Sequence, residues 1–358
     1  MLTRVHRGRG ATANPAGRFE RHEHEAVDDG WGSLDELARD PSPATLVLPG
    51  RARTILAHNQ SPDVPFDQSI NPYRGCEHGC VYCYARPSHG HLGLSAGLDF
   101  ETRIFAKHEA AQLLRQELAR PGYVCKPISL GANTDPYQPL ERRLEITRRV
   151  IEVLAATRHP VGIVTKSALV TRDIDLLAPM ARDGLARVYI SVTTLQPEIA
   201  RTLEPRAAAP HRRLKAIRAL AEAGIATGVM VAPIIPALTD HEIEPILAAA
   251  AEARAVSAGF VLVRLPYEVK DLMTAWLEAH FPGRAAHVLS LIRQCREGRL
   301  NDPEFGSRMR GSGALAQLTA QRFRTASRRH GFDRRQMPQR TDLFRPPRLG
   351  GQMELFAG

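Results

Sequence analysis

Apolar residues along this chain fall into two alternating patterns. Short, nearly continuous runs at residues 69–73, 127–131 (PISLG), 161–166 (VGIVTK), 187–193 (RVYISVT), 227–232 (TGVMVA) and 259–265 (GFVLVRL) read as buried strands. Between them, helical spacing predicts helices over 108–119 (Leu113, Leu114, Leu118), 142–157 (Val150, Ile151, Leu154), 172–183 before Gly184, and 211–223 (Leu214, Ile217, Leu220) before Gly224. Thr239 and Glu242 have the spacing of a capping box that opens the next helix. An amphipathic stretch, Val269, Leu272, Met273, Trp276 and Leu277, follows the sixth run.

Strands of continuous apolar character, each followed by a helix, predict a parallel sheet buried on both faces. Right-handed crossovers would curl it into a barrel or part of one, with chemistry on the loops after the strands. Residues 1–45 are rich in Gly, Arg, Asp and Pro, and predict an irregular arm docked through Phe19 and Trp31. An extended lead-in with Pro49, Pro62 and Pro65 comes next. The expected division is an arm and lead-in over 1–67, a core domain over 68–284, a basic helical extension over 285–340 and a flexible tail over 341–358.

The chain has 358 residues, 43% of them hydrophobic, enough for a large core. Its start lacks an apolar signal region and no run of 18 apolar residues follows, so the expectation is a soluble cytoplasmic protein without membrane contact. The net charge of +10 is concentrated: residues 284–348 hold 15 Arg, no Lys and five acids. Such a block is either a phosphate footprint or a solvated, arginine-rich surface.

Three of the five cysteines, Cys76, Cys80 and Cys83, form C-x3-C-x2-C in the loop after the first predicted strand. Their thiolates can converge on one soft metal centre. A [4Fe–4S] cubane normally takes four Cys ligands, so three leave one iron open. Zinc would need His78 or His89 as a fourth ligand and has no second cysteine pair here; inert thiols are the other competing reading. Tyr82 precedes the last cysteine and Tyr84 follows it.

This loop resembles the signature of the radical S-adenosylmethionine (radical SAM) superfamily, C-x3-C-x-aromatic-C. The resemblance implies a partial (βα)6 barrel, a [4Fe–4S] cluster whose open iron holds S-adenosylmethionine, and production of a 5′-deoxyadenosyl radical. Within the superfamily, residues 69–277 look most like the spore photoproduct lyase branch. Carried over by position, Cys76, Cys80 and Cys83 bind the cluster, and Tyr82 and Tyr84 flank cluster and cofactor. Thr134 and Lys166 reach the S-adenosylmethionine carboxylate, Ser191 its ribose or methionyl part, and Ala232 its adenine. Independently of any family, Lys166 ends an apolar strand, where its charge needs a partner; a surface lysine past a strand end is the alternative.

The related lyase carries a hydrogen-donor Cys where this chain has Ala132. Cys125 and Cys295 read as small apolar residues. Asp135, before Pro136, reads as a turn residue, and His78 as a loop residue without ligation. Glu204 and Arg206 either hold substrate phosphate or cofactor, or pair with each other. The expected function is hydrogen abstraction from nucleic acid, DNA repair included. The alternatives are radical modification of RNA or a peptide, and a non-catalytic iron–sulfur or zinc protein on nucleic acid. A radical enzyme of this kind implies an electron donor such as flavodoxin or ferredoxin. Gln352, Met353, Leu355 and Phe356 resemble the peptide by which bacterial repair proteins hold the sliding clamp; a tail packed on its own domain is the alternative.

Overall fold

The computed structural model describes residues 4–19, 43–334 and 337–348. The clamp-like peptide 352–356 and Trp31 lie outside them. All six predicted strands form: β3 (Gln68–Ile70), β6 (Ile128–Leu130), β7 (Val161–Thr165), β8 (Ala186–Ser191), β9 (Ala226–Ile234) and β10 (Ser257–Leu262). They pair in parallel in chain order, and β2 (Leu56–His58) adds an antiparallel edge beside β3. The sheet runs from β10 to β2 and does not close on itself. It is the expected partial barrel.

Helices cover its outer face. In chain order they are α1 (Leu98–Thr102), α2 (Ala110–Leu118), α3 (Glu141–Leu144), α4 (Ile146–Ala156), α5 (Ile174–Arg182), α6 (Pro197–Leu203), α7 (Pro210–Glu222), α8 (Ile243–Glu252), α9 (Val269–His280), α10 (Pro282–Gln294) and α11 (Gly313–Arg329). The apolar positions predicted to face inward do so: Leu114, Leu118, Val150, Ile151, Leu154, Ile217 and Leu220 are all buried in one core. Val269, Leu272, Met273, Trp276 and Leu277 form a second core around Trp276.

Three differences from the sequence reading have tertiary causes. The stretch 142–157 is two helices, not one, because Glu145 adopts a left-handed backbone with φ 50°. The buried Glu141 carboxylate accepts the Thr147 and Arg148 amides and so caps α4 from outside its sequence pattern. Thr239 and Glu242 do not form a capping box. The Glu242 carboxylate instead accepts from the Thr194 hydroxyl and the Leu195 amide. The lead-in holds β1 (Leu46–Pro49) as well as β2, and β1 joins β5 (Arg103–Ala106) and β4 (Tyr73–Arg74) in a small separate sheet.

The open side of the barrel is bridged by the C-terminal extension. Residues 295–312 run back along the free edge of β10, where the Leu262 amide donates to the Met309 carbonyl (2.9 Å). Arg308 pairs with Asp63, on the loop after β2, so the bridge spans from one sheet edge to the other. The arm docks through Arg9, Gly10 and Ala11, which reach Glu101, whereas Phe19 stays exposed and stacks on His91. Residues 337–348, expected in part to be free tail, are docked: Gln339 donates to the Val161 and Leu185 carbonyls, and Phe344 packs on Tyr123 and His159. Among the described residues no helix is long and apolar enough to cross a membrane.

Candidate active site

The loop after β3 carries the three cysteines, and its conformation depends on a buried arginine. Arg86 donates to the carbonyls of Gly79, Cys80, Ala96 and Gly97 and pairs with Glu101 at 2.5 Å, both side chains fully buried. Gly79 has φ 68°, and a Cβ there would stand 2.7 Å from the Glu101 carboxylate, so only glycine fits. Glu101 also accepts the amides of Gly10 and Ala11, which pins the arm over the loop. The buried carboxylate and guanidinium are thus both hydrogen-bonded within the protein, as low-dielectric surroundings demand.

Cys76 and Cys80 are buried, Cys83 is half-buried, and none forms a disulfide. Burial pushes the Cys80 thiol up to about 12, the Glu204 charge adds to this, and Lys166 opposes it. Cys76 is likewise pushed well up by burial, then by Asp135 and the other two cysteines, so the three sulfurs feel one another. Burial thus disfavours the Cys76 and Cys80 thiolates, which the positive charge of a metal would stabilise. Among the described residues, no three His, Cys, Asp or Glu side chains converge as a single ion requires. A cubane carries each thiolate on a different iron and needs no such convergence. Three cysteines on one short loop are a donor set that fits an iron–sulfur cluster with one iron left open.

A cavity of about 650 Å³ opens at the C-terminal ends of the strands. Cys80, Cys83, Tyr82, Lys166, Ser191 and Ala232 all line it. The parallel register delivers this wall, since Thr165 pairs with Ile190 and Ser191 with Met230 at successive strand ends. The Lys166 ammonium stands 5.7 Å from the centre of the Tyr82 ring. Burial lowers its pKa, but the Cys80 and Glu204 charges outweigh this and the net shift is upward. Lys166 is thus a cation at the cavity wall.

Tyr82 is buried and donates to Glu204, while Tyr84 is half-exposed at the mouth and donates to the Ala132 carbonyl. Ala132 itself lines the cavity, with no thiol at that place. Cys295 is wholly buried in the core; Cys125 is half-buried at the start of β6, at the opposite end of the strands.

Two predicted site residues do not line the cavity: Cys76, buried in the loop behind Cys80 and Cys83, and Thr134. The buried Thr134 hydroxyl donates to the Tyr73 carbonyl (2.9 Å). Periodicity places it at a strand end but cannot say which neighbour claims its hydroxyl. Asp135 makes the expected turn through the Tyr137 amide and also accepts from the Thr165 hydroxyl and the Lys166 amide, which locks β6 to β7 beneath the cavity. Burial alone would raise its pKa, but His78, 3.3 Å away, and these hydrogen bonds hold it at about 2. Glu204 and Arg206 do not pair. Glu204 is buried on Arg213, Thr193 and Tyr82, and Arg206 pairs with Glu77 at 3.2 Å. Neither reaches the cavity.

Sequence reasoning missed Arg264, Arg308 and Met309, which form the wall facing β10. Arg264 lies over the Tyr84 ring (5.6 Å), and its buried Nε has no hydrogen-bond partner among the described residues. The signal for it was present: like Lys166, it ends an apolar strand.

A model of the radical SAM superfamily matches residues 70–250. An uncharacterised protein of Mycobacterium tuberculosis is 36% identical over 233 residues, covering 64% of this chain and 68% of that one. An uncharacterised protein of Methanocaldococcus jannaschii is 28% identical over 178 residues, covering 48% and 62%. Among solved structures, spore photoproduct lyase complexed with dinucleoside spore photoproduct superposes with a TM-score of 0.55 at 17% identity, covering 79% of each chain. A variant of that lyase with bound AdoMet and the same dinucleoside gives 0.55 at 18%, again over 79% of each. At such identities the likeness is one of fold.

The chain belongs to the radical SAM superfamily, and it is an enzyme of that class. The superfamily's cofactors are a [4Fe–4S] cluster and S-adenosylmethionine.

Proposed function

We propose that this protein binds the cluster through Cys76, Cys80 and Cys83, cleaves S-adenosylmethionine, and abstracts hydrogen from a nucleic acid. When bound, the two cofactors supply the 5′-deoxyadenosyl radical; the chain's own residues bind, orient and shield. Lys166 pairs with the carboxylate of S-adenosylmethionine, a charge-assisted bond in a half-buried setting. Ser191 hydrogen-bonds its sugar or methionyl part, and Ala232, beside Pro233, gives the adenine an apolar seat. Tyr82, held by Glu204, packs beneath the Lys166 ammonium. Thr134 is left out of this reading, because it does not line the cavity and its hydroxyl proton goes to the Tyr73 carbonyl.

The observation that carries the substrate class is the far wall of the same cavity. Among the described residues no carboxylate forms an ion pair with Arg264, though the Asp63 and Asp302 charges act on it, and its buried Nε has no hydrogen-bond partner. A guanidinium so placed, facing a cofactor-sized cavity, suits an anionic group, and a phosphodiester meets its planar donors well. The bound dinucleoside of the structural neighbours and the basic C-terminal block support the same class. The absence of a thiol at Ala132 argues for a different hydrogen donor from the lyase.

The test is anaerobic incubation of the reconstituted protein with S-adenosylmethionine, reductant and isotope-labelled DNA or RNA, followed by mass spectrometry of nucleosides. A modified nucleoside, with label moved into 5′-deoxyadenosine, is expected. Label transfer from a peptide library and none from nucleic acid would overturn the substrate class.

A further inference from the structure

Behind the cysteine loop lies a second concavity, of about 620 Å³, walled by Arg7, Arg9, Arg142, Arg143 and Arg206, with Glu77 its one carboxylate among the described residues. It shares no lining residue with the cofactor cavity. The loop separates the two: Cys80 and Cys83 face the cavity, while Glu77, next to Cys76, faces the arginines.

Glu77 is already satisfied by the Thr45 hydroxyl (2.6 Å) and Arg206 (3.2 Å). Arg9 donates to the carbonyls of Glu101 (3.0 Å) and Pro43 (2.5 Å). Arg7, Arg142 and Arg143 are exposed and form no ion pair with a described residue. Burial, then the Arg206 charge, lowers the Arg9 pKa, against the opposing pull of Glu101 and Glu77.

An acidic partner fits this surface, and its place decides which kind. A nucleic acid held here would lie on the wrong side of the loop from the cavity where its hydrogen must be taken. What the rear of the loop can receive is an electron. We propose that this arginine-walled concavity is the docking surface for an acidic one-electron carrier protein that reduces the cluster. The carrier loses one electron and the cluster gains it; no bond forms and no proton moves. The proposal rests on the cluster assignment to Cys76, Cys80 and Cys83. Opposite charge at the encounter raises the association rate and makes it sensitive to salt.

The test uses the full-length reconstituted protein and its R7E/R142E/R143E variant, all three sites being exposed and away from the cofactor cavity. Loss of cluster absorbance is followed after anaerobic mixing with a reduced acidic flavodoxin, and separately with dithionite. The variant is expected to be reduced at least about tenfold more slowly by flavodoxin at low salt. Its rate with dithionite should match the wild type, and the wild-type flavodoxin rate should fall as salt rises. Equal flavodoxin rates for the two proteins would overturn the proposal. So would an unchanged flavodoxin rate with weakened DNA binding, which would assign the surface to nucleic acid. A colourless wild-type protein after reconstitution would instead overturn the cluster assignment beneath it.

Discussion

The cysteine loop and the strand-end wall meet at one cavity, but they are held there by different means. The wall is inherited from the sheet: Lys166, Ser191 and Ala232 stand at the ends of parallel strands whose pairing continues far below them. The loop has almost no regular structure. It is held by one guanidinium on four carbonyls, one buried ion pair and an arm from the far N-terminus. A site built this way has a rigid half and a half that depends on a few polar contacts, each expensive to break.

The largest effect should come from Arg86→Ala. Removing one partner of a buried pair leaves Glu101 with the Gly10 and Ala11 amides but without its counter-charge, at a cost of about 3–5 kcal/mol. Chemical denaturation should show that loss, and iron content after reconstitution should fall with it. Undiminished iron content would show that the loop is held some other way. Lys166→Ala probes the other half. It should keep its iron and its fold but bind S-adenosylmethionine at least about tenfold more weakly by calorimetry, as expected for a charged hydrogen bond of about 1.5–3 kcal/mol. A parallel loss of iron would erase the distinction between the halves.

Smaller still is Thr134→Ala. Its hydroxyl supports Tyr73, so about 1 kcal/mol of stability should go while the affinity for S-adenosylmethionine stays. A tenfold loss of affinity with no change in stability would restore the ligand role that family position implies. The least effect is expected from neutralising Arg328, Arg329 and Arg334. All three are exposed, unlike Arg296 and Arg308, which are spent inside the fold. The slope of log affinity for DNA against log salt should flatten by up to about 0.9 per lost phosphate contact. An unchanged slope would mark the block as a solvated surface.

These two halves were also unequally legible. The wall could be read because each strand is a local apolar run and a charge at its end stands out, as Lys166 does. The same rule applied to the run ending at Arg264 would have found the opposite wall. The cysteines were legible because their spacing is local. What fastens them was not: Glu101 reaches back to Gly10, and Arg308 reaches across to Asp63, pairings between distant residues that no periodicity records. The charge count of 284–348 is silent in the same way, since it cannot tell that Arg296 is buried on carbonyls while Arg328 and Arg329 are exposed.

The central claim is that Cys76, Cys80 and Cys83 hold a cluster that opens onto the cavity of Lys166 and Ser191. It is tested most directly by anaerobic reconstitution with iron and sulfide, followed by dithionite and S-adenosylmethionine, with 5′-deoxyadenosine measured by chromatography. The wild type, Cys125→Ala and Cys295→Ala should be brown and should release 5′-deoxyadenosine. Cys76→Ala, Cys80→Ala and Cys83→Ala should each release none. Full cleavage by any one of those three, or a colourless wild type that holds one zinc, would contradict the account.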